Sequence, residues 1–127
     1  MRRRATVIVV KDREVLLVQQ SRGGHYWLPG GGVRRGERSI GAAVRELYEE
    51  TGLRSKSVRD LFSWTSRFSI HRVFLVEPEG VPHPKSDVVA VLWWDGKAKL
   101  PLRSHAAAIL ERAGFFSGRM FEQFQRG

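Results

Sequence analysis

Three glutamates crowd one short stretch of this chain. In "RELYEETGL", residues 45–53, Glu46, Glu49 and Glu50 fall one helical turn apart, although the chain as a whole carries a formal net charge of +9. Carboxylates placed side by side repel, and each raises its neighbours' pKa unless a cation sits among them. Magnesium and manganese suit such a set, because both favour carboxylate oxygens and keep other positions for water and substrate phosphates. A divalent metal holding a pyrophosphate-containing substrate is the chemistry these residues point to. The alternative is an ordinary solvated acidic face, with Arg45 and Glu49 paired at i,i+4.

The helix that must carry them is legible. Ser39 is placed to cap it, and Gly52 stands where a helix-terminating glycine belongs after Thr51. At ~100° per residue, Ile40, Ala43, Val44 and Leu47 form the stripe expected to face the core. The glutamates occupy a sector adjoining that stripe, at the edge of a cleft. Directly upstream, "SRGGHYWLPGGGVRRGE" holds six of the thirteen glycines and ends on Glu37. A glycine-rich loop lets backbone amides and carbonyls approach a ligand, and one that leads into a helix N-terminus commonly cradles phosphate or metal.

The remaining elements read as a frame for this loop and helix. "ATVIVV" and "EVLLVQQ" are apolar, β-branched runs joined by "KDR", a tight strand connection. "VRDLFSWTSR" and "IHRVFLVE" form an expected strand pair, "PEGVPHPKSD" a loop, and "VVAVLWWD" a further strand in which one of Trp93 and Trp94 enters the core and the other faces outward. "SHAAAILERAG" is an expected capped helix stopped by Gly114, and Phe115, Phe116, Phe121 and Phe124 are expected to dock the tail onto the chain or to make a dimer contact. The order predicts mixed α/β layers around one sheet, in one domain spanning residues 1–127.

Composition bounds the function classes. The chain of 127 residues is 42% hydrophobic and 28% charged, the balance of a soluble globular protein. No apolar run approaches the ~20 residues of a membrane-spanning helix. With no cysteine, disulfides and thiolate metal sites are excluded, and the cytoplasm is the expected compartment. Gly31–Leu53 is neutral, with four arginines against four glutamates, so the basic excess lies outside it, where it would concentrate anions such as nucleotides. Scattered arginines make no nucleic-acid signature.

Residues 31–53 resemble the Nudix box, G-x5-E-x7-R-E-U-x-E-E-x-G-U, through Gly31, Glu37, Arg45, Glu46, Leu47, Glu49, Glu50, Gly52 and Leu53, with no departure. The flanking "VLLVQQSRGGHYWLPGGG" and "VVAVLWWD" are also similar to that family. The resemblance implies an α/β/α sandwich with a mixed β-sheet and a metal-dependent hydrolase acting on nucleoside diphosphates linked to another group. It implies Mg²⁺ or Mn²⁺ as cofactor, Glu46 and Glu50 as foremost metal ligands, Glu49 close by and the Gly31 carbonyl as a further contact. Arg45 would pair with Glu37 or Glu49 and hold the cluster in shape. The general base is expected to be Glu46 or Glu49, with Asp87 as the candidate outside the box.

The substrate is less legible. The proline typical of ADP-ribose hydrolases is absent, with Phe68 and Ser69 in its place, as are the tyrosine of dinucleoside-polyphosphate hydrolases and the SQPWPFPxS array of NADH hydrolases. The short chain looks most like the branch that converts nucleoside triphosphates to monophosphates. Arg22, Trp27, Arg67 and Arg72 are expected substrate contacts, arginine for phosphate and tryptophan for a base, while packing of the loop is the competing role for Trp27. Other readings are hydrolysis of a nucleoside diphosphate sugar or ADP-ribose, removal of pyrophosphate from an RNA 5′ end, and a non-catalytic nucleotide-sensing module. A small-molecule nucleotide is the expected partner of a monomer or homodimer.

Overall fold

The computed structural model describes the backbone of residues 1–125 and the side chains of residues 1–122; Phe124 of the expected tail contact lies outside the described side chains. In chain order the elements are β1 (Arg2–Lys11), β2 (Glu14–Gln19), β3 (Tyr26–Trp27), β4 (Gly30–Gly32), α1 (Ser39–Thr51), β5 (Arg54–Thr65), β6 (Ser69–Glu79), β7 (Ala90–Trp94), α2 (Ser104–Ala113) and α3 (Arg119–Gln125). The strands make one mixed seven-stranded sheet in the order β3-β2-β1-β6-β5, with β4 added to β1 and β7 to β2.

β1 organises the rest. Its residues from Arg2 to Val9 run parallel to β6, while Arg4–Thr6 also pair antiparallel with Gly32–Gly30, and Val10 and Lys11 pair with β2. The "KDRE" turn into β2 is tight, and both Asp12 (φ 53°) and Arg13 (φ 66°) take left-handed backbone, as a two-residue hairpin of this twist requires. β5 and β6 form a long antiparallel pair, as their alternation predicts.

Alternation along β1 sorts the core into two layers. Ala5, Val7 and Val9 face α1 and cluster with Ala42, Ala43, Leu47, Leu53, Phe74 and Val76. Ile8 and Val10 belong to the opposite layer, with Val73, Leu75, Ala106, Ile109, Leu110 and Phe115. The sheet is therefore covered by α1 on one face and by α2 and the tail on the other.

Several expectations change. α1 buries Ala42, Ala43, Leu47, Glu50 and Thr51, whereas Ile40 and Val44 are exposed at 41% and 38%. The buried face is thus rotated toward the glutamates, because β4 and the loop beyond Gly80 cover that side. Ser39 is the first helical residue and makes no cap bond to the helix; its hydroxyl accepts from the Arg3 guanidinium at 3.2 Å. α2 likewise starts without a side-chain cap, at Arg103. Gly52 and Gly114 do end their helices, both in left-handed backbone. Trp94 is buried, and Trp93 does not face outward but packs half-buried on the α1-side cluster. Phe115 and Phe121 dock into the core, while Phe116 stays exposed.

Candidate active site

The site is built where β4 runs between β1 and α1. Three consecutive glycines form that strand, and at the first two a side chain would collide with what surrounds it. A Cβ on Gly30 would lie 2.2 Å from the Ala5 carbonyl oxygen, and one on Gly31 would lie 2.4 Å from Cδ of Glu46. The backbone is consequently pressed against the carboxylates of α1. The Gly30 N–H donates to Glu50 Oε1 at 2.9 Å.

Arg45 is the hub of the cluster. Its Nε and Nη2 donate to the two oxygens of Glu37 at 2.7 and 2.9 Å, Nη1 donates to Glu46 at 2.9 Å and to Glu49 at 3.2 Å, and Nη2 reaches the Gly32 carbonyl at 3.1 Å. Glu37 also accepts from the Arg34 N–H at 2.9 Å. The Arg45 hydrogen bonds, followed by the Arg34 amide, hold the Glu37 carboxyl down to about 2, and the same pairing raises Arg45. A bidentate guanidinium–carboxylate pair of this kind fixes geometry as well as charge. Arg45 therefore pairs with both Glu37 and Glu49, and with Glu46 as well.

Glu50 differs from its neighbours. Only 8% of it is exposed, and burial, reinforced by Glu46 and Glu49, pushes its carboxyl up to about 7 against the Gly30 hydrogen bond and Arg4. Glu46 is largely covered and Glu49 half-exposed, their side chains 18% and 44% accessible. The donor chemistry suits a hard divalent cation: carboxylate oxygens beside a backbone strand that a Cβ would obstruct. Among the described residues no three acidic or imidazole side chains converge as they stand, since Glu46 is turned to Arg45 and Glu50 to Gly30. The fit is one of ligand type and placement.

The other expected contacts separate. Trp27 lies on β3, its ring under the Arg103 guanidinium at 4.4 Å and edge-on to His105 at 5.2 Å. Arg22 is exposed in the loop after β2. Arg67 lies over Phe68 at the β5–β6 turn, and Arg72 is bound to Asp60 and Ser63 on the β5–β6 pair. Asp87 is exposed, on a loop tied to the end of α1 by His83 N–H to Thr51 O and Lys85 N–H to Glu50 O, at 2.9 and 3.0 Å.

Sequence reading passed over a second group. Thr6 Oγ1 and His71 Nδ1 are hydrogen-bonded at 2.8 Å, and the His71 ring contacts Trp64 and His105. The half-buried Arg4 guanidinium is held below its usual range by burial first, and it interacts with Glu50 and Glu46 and with both imidazoles. The only signal was the parallel β1–β6 pairing, which no local pattern announces.

Comparison with known proteins agrees with this geometry. The NUDIX domain family model matches residues 1–112. A nudix hydrolase family member from Chromobacterium violaceum superimposes with a TM-score of 0.83 at 34% identity, over 90% of this chain and 77% of that one. Among curated proteins, diphosphoinositol polyphosphate phosphohydrolase 2 from Mus musculus is 42% identical over 66 residues, 51% of this chain and 37% of that protein. The 8-oxo-dGDP phosphatase from Danio rerio is 31% identical over 122 residues, 85% of this chain and 36% of that protein. The chain thus spans little more than a third of either curated relative. It belongs to the Nudix family.

Proposed function

We propose that this chain hydrolyses a phosphoanhydride linkage in a nucleoside di- or triphosphate derivative, releasing a nucleoside monophosphate and pyrophosphate when the substrate is a triphosphate. The observation that carries the reading is the joining of Glu37, Glu46 and Glu49 through Arg45, beside buried Glu50 and the β4 backbone. Glu46 and Glu50, with the Gly31 carbonyl, would hold Mg²⁺ or Mn²⁺, with Glu49 close by. When bound, the cation neutralises charge developing on phosphoryl oxygens and acidifies water.

The chain's own residues do the rest. Arg45 and Glu37 keep the glutamates in register, and Gly31 lets Glu46 lie flat against β4. Glu49 is the carboxylate we assign as general base: it is the most accessible of the cluster and so the freest to take a proton from attacking water. Asp87 is the competing group, on the loop anchored to Glu50. The expected substrate contacts Arg22, Arg67 and Arg72 remain part of the proposal only as outlying anion-attracting groups. We place the reaction in the cytoplasm; among the described residues no helix is long and apolar enough to cross a membrane.

Product analysis by mass on a panel of nucleoside triphosphates, 8-oxo nucleotides, ADP-ribose and nucleoside diphosphate sugars, with Mg²⁺ or Mn²⁺, tests this reading. Release of monophosphate is expected, and turnover of none of them would overturn it. An RNA 5′-pyrophosphate is the second reading, favoured by Arg2, Arg3 and Arg4 on one strand. Binding to such RNA that falls steeply with salt would support it.

A further inference from the structure

The last turn of α1, residues 48–51, reads "YEET". It sets two acids at the helix end where the dipole is negative and where the final carbonyls lack partners within the helix. Gly52 satisfies one of them, its N–H donating to Tyr48 O at 2.8 Å. The Glu50 and Thr51 carbonyls are met from outside, by the loop between β6 and β7. His83 N–H donates to Thr51 O at 2.9 Å, and Lys85 N–H donates to Glu50 O at 3.0 Å.

The sequence of that loop suits the contact. Residues 81–85 read "VPHPK". Proline has no N–H and fixes its own φ, so within residues 82–85 the amide donors are those of His83 and Lys85, and both go to α1. The Lys85 side chain adds a second hold. Its Cδ runs 3.5 Å from where a Cβ on Gly52 would stand, and its ammonium lies 4.6 Å from the centre of the Tyr48 ring. That is an attractive cation–π distance, and it brings a positive charge to a helix end whose own residues are acidic. Beyond Lys85 the chain is pinned again. Val88 N–H donates to Lys85 O at 3.0 Å across Ser86, which takes left-handed backbone at φ 56°. Val88 is buried, and Val89 N–H donates to Gln19 O of β2 at 2.8 Å.

We propose that residues 82–85 clamp the C-terminal end of α1 and that Lys85 is a positioning residue of the hydrolase. Glu50 is held at both ends, its carbonyl by Lys85 N–H and its Oε1 by Gly30 N–H at 2.9 Å. A helix end left to fray would let that carboxylate swing away from β4, and a cation would then have to order it on binding. With the clamp closed, the ordering is already in place. Lys85 acts through the backbone of Glu50 and the ring of Tyr48, not on the reacting atoms. The inference rests on the metal site read above on Glu46 and Glu50, and adds what holds it in shape.

The test compares the whole native chain with Lys85→Ala and Lys85→Arg. Three readouts are taken: calorimetric Mn²⁺ uptake, amide exchange of residues 49–52 without metal, and steady-state kinetics on a nucleoside triphosphate. In Lys85→Ala, Mn²⁺ binding should weaken about fivefold, the scale of one lost helix-end contact. Exchange in the last turn should quicken, and kcat should fall with little change in KM. Lys85→Arg, which keeps a cation for the Tyr48 ring, should restore all three. Mn²⁺ affinity and kcat left at native values by Lys85→Ala, or a loss that Lys85→Arg does not restore, would overturn the inference while the metal site stands. A native chain that takes up no Mn²⁺ would overturn the metal reading, and the inference with it.

Discussion

Arg45 and Glu37 face each other as a bidentate pair, with Nε to Oε2 at 2.7 Å and Nη2 to Oε1 at 2.9 Å. Through that pair the loop before α1 is locked to the helix carrying Glu46, Glu49 and Glu50. Lysine keeps the charge but loses the fork. Arg45→Lys is expected to cost about 1–3 kcal/mol of stability and to lower turnover, as read by denaturant unfolding and steady-state kinetics. Glu37 adds a pH signature. Its folded pKa lies below the ordinary carboxylate value, so its contribution is present above about pH 4.3 and lost as pH falls toward 2. The Tm gap between the native chain and Glu37→Gln should shrink across that window; a gap independent of pH would contradict the pairing.

Glu50 carries the opposite sign. Its raised pKa means that the folded state holds a proton more tightly than the unfolded chain. Stability of the metal-free protein is therefore lost as pH rises from about 4.3 through about 7. Glu50→Gln keeps an acceptor for the Gly30 N–H and should remove that loss, a gain of up to about 3 kcal/mol at pH 8 in chelator. Chemical unfolding at pH 5 and pH 8 checks it.

Two neighbouring glycines should fail differently. Gly30→Ala sets a Cβ against the Ala5 backbone oxygen, at φ +150°, where nothing can yield. It should destabilise by on the order of 3 kcal/mol. Gly31→Ala meets only the end of the Glu46 side chain, so the fold should survive while Glu46 is displaced, with activity down about 100-fold. Thermal melting beside kcat separates the two outcomes.

His71 sets a further pH window. Burial, then His105 and Arg4, hold its folded pKa near 4. The unfolded chain takes a proton near pH 6.5, so stability falls as pH drops from there to about 4. The loss should be of order 2 kcal/mol, and a His71→Asn variant should show a flatter profile between pH 6.5 and 4.5.

The box was legible because its chemistry is local: a helix period, a stop glycine and nine fixed positions place Glu37, Arg45 and the three glutamates without long-range knowledge. The strand pairs β1–β2 and β5–β6 were legible for the same reason. What failed depends on neighbours. Ile40 and Val44 look like core on a helical wheel, yet the sheet and β4 cover a face rotated toward Glu50. Ser39 looks like a cap, yet Arg3 claims its hydroxyl. Thr6 and His71 are 65 positions apart and meet only because β1 and β6 pair in parallel, so a histidine that reads as scattered gains a buried partner. Arg72, expected to meet phosphate, is held by the side chains of Asp60 and Ser63 on the β5–β6 pair, a pairing that local pattern does not announce.

The most direct measurement is calorimetric titration of chelator-stripped protein with Mn²⁺, alone and with a non-hydrolysable nucleotide. Saturable uptake is expected in the native chain, weakened at least tenfold in Glu50→Gln and abolished in a Glu46→Gln, Glu50→Gln double variant that still melts cooperatively. Uptake that those substitutions leave unchanged, or no uptake even with nucleotide present, would contradict a metal site on α1.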